Sequence, residues 1–236
     1  PAPDAAGAAG PVQIIALPDA ETAARRAAEE LARAARAGEE IALCGGSTPR
    51  RAYQLAAALK PDWSRARVWL GDERVVPPGD ERANARLVHE ALLSRLAVQP
   101  REVVPVRTEL GAEGAAAALD EALAGVELGL ALLGLGSDGH TASLFPGKAA
   151  VEERARHAVA GEPGLEPWVQ RVTMTVPFLC AARRVVYLVT GASKAEVAAR
   201  AITGPADPAV PASLVRSSHG VTVAVLDAAA AAAIDR

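Results

Sequence analysis

Short apolar runs alternate along this chain with longer stretches whose apolar positions recur every three to four residues. Val12–Leu17 reads as a first strand. Asp19 then stands as the N-cap of a helix reaching about Arg36, with Ala24, Ala27, Ala28, Leu31 and Ala35 on one face and Gly38 as its stop. Residues 39–44 are predicted as a second strand and 48–59 as a helix, with Pro49 suited to its first turn. Arg67–Leu70 is a third strand, leading into a polar loop at Gly71-Asp72-Glu73-Arg74. A helix over 84–96 places Val88, Ala91, Leu92 and Leu96 on one side. A short strand over 103–106, a helix over 112–123 and a central strand over 128–133 follow. The pattern loosens over 147–167, a segment that reads as a cover for a pocket, with Trp168 as part of its lining. Strands are predicted over 169–176, 185–190 and 221–226, and helices over 192–202 and 227–234.

This alternation predicts an α/β fold, a single doubly wound, mostly parallel sheet with helices on both faces, Rossmann-like. Neither a linker nor an internal repeat interrupts it, so residues 12–236 are expected to form a single domain. Residues 1–11, rich in Pro, Ala and Gly without periodicity, read as a disordered leader. They lack the basic start and apolar core of a signal peptide.

Composition narrows the function classes. The hydrophobic fraction of 50% is inflated by alanine, and only 3% of residues are aromatic, so helices should pack closely through small side chains. A net charge of -3 argues against a nucleic-acid partner, which calls for a basic face. Apolar runs fall short of the roughly 18 residues of a membrane span. Cys44 and Cys180, far apart in apolar surroundings, read as buried free thiols, in keeping with a reducing, cytoplasmic setting.

The chemistry concentrates in turns that follow predicted strands. Gly45-Gly46-Ser47-Thr48-Pro49 lies where a strand becomes a helix. There outward-pointing amides and the helix dipole favour an anion, and Ser47 and Thr48 add hydroxyl donors. Read alone, the turn is either a phosphate cradle or a capped tight turn. Asp72, Glu73 and Arg74 meet water, one another or a ligand. Lys194, in Gly191-Ala192-Ser193-Lys194, sits in the first turn of a helix, where a cation opposes the dipole unless an anion is near. Arg171 is a surface arginine or a second cation. The run ending in Gly134-Leu135-Gly136-Ser137-Asp138-Gly139-His140 brings an acid and an imidazole to a strand end, and imidazole is the side chain that titrates near neutrality. Asp138 and His140 are too sparse for a zinc site, and His89, His157 and His219 show no ligand spacing, so no metal is expected. In a parallel sheet all these turns share one edge, where ligands bind.

These same segments resemble the 6-phosphogluconolactonases, within the superfamily that also holds the aminosugar-phosphate isomerase/deaminases. The resemblance rests on Gly45-Gly46-Ser47-Thr48-Pro49, on Gly71-Asp72-Glu73-Arg74 with Val76-Pro77 and Asn84, and on Asp138-Gly139-His140-Thr141-Ala142-Ser143-Leu144-Phe145-Pro146. Arg171-Val172-Thr173-Met174-Thr175, Gly191-Ala192-Ser193-Lys194-Ala195 and Pro211-Ala212 extend it across residues 41–216. It implies hydrolysis of 6-phosphoglucono-1,5-lactone, a small sugar-phosphate lactone, in the oxidative pentose phosphate pathway. No cofactor is implied, and a monomer or weak homo-oligomer is expected. By the resemblance, Gly45, Gly46, Ser47, Thr48 and Lys194, with Arg74, hold the sugar phosphate; Arg171, read from its place at a strand, is a candidate further substrate contact. His140 is the implied base, and Asp138 or Asp72 orients it. Ala83 departs from the family pattern, which has a serine before Asn84, and so removes a side-chain hydrogen bond.

Two alternatives remain at this point. The isomerase/deaminases carry a glutamate where this chain has Phe145 and a tyrosine where it has Arg74, and isomerisation needs such extra acid-base groups. A non-catalytic sugar-phosphate-sensing module is the other. The retention of both Asp138 and His140 favours an enzyme.

Overall fold

The computed structural model describes residues 11–77 and 79–234. The first half runs β1 (Val12–Leu17), α1 (Ala20–Ala37), β2 (Glu40–Leu43), α2 (Ser47–Ala58), β3 (Arg67–Leu70), β4 (Asp72–Arg74), α3 (Asn84–Ala91), β5 (Glu102–Val103) and α4 (Gly111–Ala122). The second half runs β6 (Leu130–Leu133), β7 (Ala158–Gly161), β8 (Arg171–Met174), α5 (Val176–Cys180), β9 (Arg184–Val189), α6 (Ala195–Ile202), β10 (Val221–Asp227) and α7 (Ala228–Ala231). Of the leader expected over 1–11, residues 1–10 lie outside the described residues.

Seven strands form one parallel sheet in the order β1-β10-β9-β6-β2-β3-β5. Its inner strands are buried on both faces, which is why they read as apolar runs rather than alternating ones: every residue of β6 is buried, as are five of six in β9. From β2 the chain steps to β3 and β5 on one side, then crosses back to β6, β9 and β10 on the other. The reversal opens a crevice between the carboxyl ends of β2 and β6, the place where open α/β sheets bind ligands.

Local signals set the flanking helices. Asp19 accepts a hydrogen bond from Thr22 N at 2.7 Å, and Gly38 closes α1 in the left-handed region at φ 73°. The alanine face of α1 is wholly buried, from Ala23 to Ala35, so the small side chains do permit close packing.

The structure departs from the sequence reading at several points. A second sheet, three-stranded and antiparallel in the order β4-β8-β7, adjoins the main one. Asp72–Arg74 is thus a strand, not a solvated loop, with Asp72 and Glu73 both buried. The strand expected over 169–176 shortens to β8 and belongs to this second sheet, and the loose segment 147–167 contains β7. Residue 71 is the branch point: Gly71 N donates to Leu43 O in the main sheet, while Gly71 O accepts from Met174 N in the second. The helix expected over 84–96 splits into α3 and a 3₁₀ turn at Leu93–Arg95, and that expected over 192–202 into a 3₁₀ turn at Ala192–Lys194 and α6. The last helix covers only Ala228–Ala231. None of the described helices is long and apolar enough to cross a membrane.

Candidate active site

The turns after β2, β3, β6 and β9 converge on one cavity of about 280 Å³. Gly45, Gly46, Ser47 and Thr48 line it, together with Asp72, Arg74, His140 and Lys194. The volume is near the lower end of the ~300–1,000 Å³ common for small-molecule sites.

The β2 turn enters α2 directly. Gly46 takes φ 114°, and its side-chain-free cap leaves the first amides of the helix without an internal acceptor. Ser47 and Thr48 are the first helical residues, and Thr48 Oγ1 lies 3.1 Å from Thr190 Oγ1 at the end of β9. The strand end is pinned from below: the buried Tyr53 hydroxyl donates to Cys44 O at 2.6 Å and accepts from Cys44 N at 3.0 Å. The Cys44 thiol also borders the cavity. Burial and the nearby charge of Asp72 push it up to about 12, so it stays protonated and is no nucleophile.

The β6 turn carries the imidazole. Asp138 Oδ1 lies 2.5 Å from His140 Nδ1 and accepts from His140 N at 3.2 Å, while Gly136 N closes the loop on His140 O at 2.8 Å. A Cβ at Gly136 would overlap both the ring and the carboxylate, so glycine there makes room for the pair. Phe145 packs its ring 4.4 Å from that of His140, tilted by 42°. Asp138 does not line the cavity itself and reaches it only through His140. Burial pushes its carboxyl up, but the hydrogen bond and charge of His140 outweigh this and hold it below the usual range. Ala142, next to this turn, holds φ 48°, a left-handed conformation unusual outside glycine.

The β9 turn brings in Lys194. Gly191 N donates to both carboxylate oxygens of Asp227 at 3.0 Å, tying the turn to the end of β10. Lys194 forms no ion pair among the described residues. Burial pushes its ammonium down while Asp138 holds it up, with a net lowering. A half-buried cation without a partner is the electrostatic condition that an incoming anion relieves.

The β3–β4 turn supplies Asp72 and Arg74. Asp72 Oδ2 accepts from Ser143 Oγ at 2.6 Å and has no bond to His140, so of the two carboxylates only Asp138 touches the ring. Ala83 makes no side-chain cap for α3, and Glu73 caps it from a neighbouring strand: its Oε1 accepts from Asn84 N and its Oε2 from Ala85 N, both at 2.7 Å. Burial pushes the Glu73 carboxyl up and these backbone donors pull it down, with a net raising.

Three expectations do not hold in the geometry. Arg171 is not among the lining residues. It is buried, and its guanidinium donates to Val169 O and Pro167 O at 2.8 and 2.9 Å, which consumes it in holding the preceding loop. Residues 147–167 contribute nothing to the lining, and Trp168 is 66% exposed on the surface. Conversely, Asn84, Thr141 and Thr190 line the cavity without having been singled out as site residues. Their polar side chains carry no periodic signal, and only the fold shows that they face one another. Among the described residues no group of three or more His, Cys, Asp or Glu is arranged to hold a metal.

A family model described as glucosamine-6-phosphate isomerases/6-phosphogluconolactonase matches residues 18–224. The chain belongs to that family. A 6-phosphogluconolactonase of Homo sapiens is 38% identical over 224 residues, covering 90% of this chain and 86% of its own. One of Haemophilus influenzae is 31% identical over 230 residues, covering 93% and 98%. The solved structure of the 6-phosphogluconolactonase from Trypanosoma brucei superposes with a TM-score of 0.81 at 28% identity, over 95% of this chain and 98% of that one. The resemblance drawn from the turn motifs is borne out, as is the α/β fold class. Within a family whose description spans isomerases and lactonases, this member has an aromatic ring at 145 against its histidine.

Proposed function

We propose that this chain hydrolyses 6-phosphoglucono-1,5-lactone to 6-phosphogluconate, with His140 as the base that activates water. The observation that carries this reading is the His140–Asp138 pair, 2.5 Å apart, at a cavity shared with the Gly45–Thr48 turn and Lys194. The phosphate docks on the amides and hydroxyls of the turn and on Lys194, so a group remote from the reacting bond positions the ring. Asp138 accepts the Nδ1 proton, which leaves the Nε2 lone pair free. Nε2 takes a proton from water as the oxygen attacks the lactone carbonyl carbon. The tetrahedral oxyanion is met by Arg74 or a backbone amide, and when it collapses the ring C–O bond breaks and the imidazolium protonates the departing oxygen. The ester is already activated, so one imidazole and one oxyanion donor suffice. Enolising a sugar carbon calls for more groups, and Phe145 supplies none. One chain holds every group named, so a monomer is competent, and residues 12–236 act as one unit. The reaction belongs to the oxidative pentose phosphate pathway, in the cytoplasm.

Freshly prepared lactone should release acid well above the uncatalysed rate when the protein is added, while glucosamine 6-phosphate should yield no ammonia. The reverse result would make this an isomerase/deaminase, and inertness toward both would leave a sensing module. Lys194→Ala should raise KM with kcat nearly unchanged. Loss of one charge-assisted hydrogen bond, ~1.5–3 kcal/mol, corresponds to about a 10- to 150-fold rise. An unchanged KM would remove Lys194 from the phosphate site.

A further inference from the structure

Arg74 and Asp72 stand two residues apart on β4, on the same face of the strand, and both line the cavity. Oppositely charged groups so placed, in a site of reduced dielectric, attract strongly. Yet among the described residues neither enters an ion pair. Between them lies the amide of Asn84. Its Nδ2 donates to Asp72 O at 2.8 Å and to Asp72 Oδ1 at 3.2 Å, while its Oδ1 accepts from Arg74 Nη1. The reverse orientation would set oxygen against two oxygens and an amino group against a guanidinium, so the amide has one way to sit. It cannot swing aside either. Asn84 is 1% exposed, its backbone N is held by Glu73 Oε1, and a Cβ on Gly45 would occupy its space. Arg74 Nε meanwhile is buried without a partner.

We propose that Asn84 is a positioning residue that works as a neutral spacer, satisfying one side of each charge and so keeping Arg74 and Asp72 from closing on each other. The guanidinium then retains N–H groups for an anionic or oxyanionic part of the substrate. This rests on the reading of Arg74 as a substrate contact. The amide can do what no charged residue can: it donates to the carboxylate and accepts from the cation without neutralising either. Glycine at 45 follows from the same arrangement, since the amide fills the volume a side chain there would take. Other groups that feel the charge of Asp72 are Arg171 from β8, Glu73 beside it on β4, the Cys44 thiol at the end of β2 and the Tyr53 phenol of α2. Asp72→Asn combined with Asn84→Asp serves as the control for their response to the new charge.

The test compares kcat/KM for the lactone in Arg74→Ala, Asn84→Ala, the double variant and Asn84→Asp, each corrected for its folded fraction from thermal melts. Arg74→Ala should lose about 10²-fold, as for removal of one preorganised donor. Asn84→Ala should lose about tenfold, and the double variant no more than Arg74→Ala alone, because the spacer acts through the arginine. Multiplying losses in the double variant would overturn the proposal. Asn84→Asp has the same shape, so it tests the idea even if Asn84→Ala does not fold. Its ionised carboxylate engages Arg74 and repels Asp72, whereas its protonated form donates and accepts as the amide does. Its deficit relative to the native protein should therefore shrink as the pH falls through the carboxylate range. A deficit independent of pH would assign Asn84 a purely structural role. Full activity in Arg74→Ala would sink the contact on which the spacer depends, whatever the Asn84 variants do.

Discussion

His140→Ala is expected to lower kcat by about 10²- to 10⁴-fold, the usual contribution of a positioned general base, while 6-phosphogluconate binds almost as before. The two halves of this expectation come from different parts of the cavity. Proton transfer depends on Nε2 of a ring held through Nδ1 by Asp138. Ground-state binding depends on the turn at Gly45–Thr48 and on Lys194, which reach the cavity from β2 and β9 rather than from the β6 loop. Stability should change little, because the ring is half-buried and its main apolar neighbour, Phe145, is itself covered by other residues. The volume vacated by the ring also offers a control. Free imidazole added at millimolar concentration should restore part of the lost rate in His140→Ala and none in the native protein. A kcat within threefold of native would take His140 out of the chemistry, and a large rise in the dissociation constant for product would move it from catalysis to binding.

The sequence reading and the structure agree where short apolar runs and capping residues are bounded by clear stop signals. β1, β3 and the start of α1 fall on the predicted residues: β1 runs between Pro11 and Pro18, β3 ends at Gly71, and Asp19 caps α1. Convergence of the turns was legible for the same reason: parallel strands put their carboxyl ends on one edge, so motifs following β2, β6 and β9 had to meet. What was not legible is the second sheet. Its strand β4 consists of Asp72, Glu73 and Arg74, a run that periodicity assigns to solvent. It is buried only because each carboxylate finds donors far away in sequence, at Asn84, Ala85 and Ser143. Nor could sequence decide between Asp138 and Asp72 as the partner of His140, since both follow strands that end at the same edge. The distinction lies in the loop closure from Gly136 to His140, which turns Asp138 back onto the ring. Arg171 illustrates the converse error. A cation near a strand end suggests a ligand contact, but here the guanidinium donates to backbone carbonyls of its own loop.

Asp138→Asn separates orientation from charge and should lower kcat by about 10²-fold or more. Asp138 Oδ1 accepts from two donors, the ring Nδ1 and the backbone N of His140. In the variant the backbone N–H still demands an oxygen at that place, so the amide should present its carbonyl and preserve the tautomer. What disappears is the negative charge that stabilises the imidazolium formed during turnover. In the native protein the hydrogen bond and charge of His140 hold the Asp138 carboxyl below its usual range despite burial, so the negative charge persists to low pH. The native protein keeps the benefit of that charge across the working range, whereas the variant lacks it at every pH, so its kcat/KM plateau should fall. Lys194 should respond as well. Burial already pushes its ammonium down and Asp138 is the charge that holds it up, so in the variant the alkaline loss of product affinity should begin at lower pH. Rate–pH profiles and product titrations of Asp138→Asn and Asp72→Asn, side by side, check the lower plateau and the Lys194 shift. If Asp72→Asn lowers the plateau and Asp138→Asn does not, the carboxylate that matters to the reaction is the one bound to Ser143 and Asn84, and the 2.5 Å contact is only a brace for the loop.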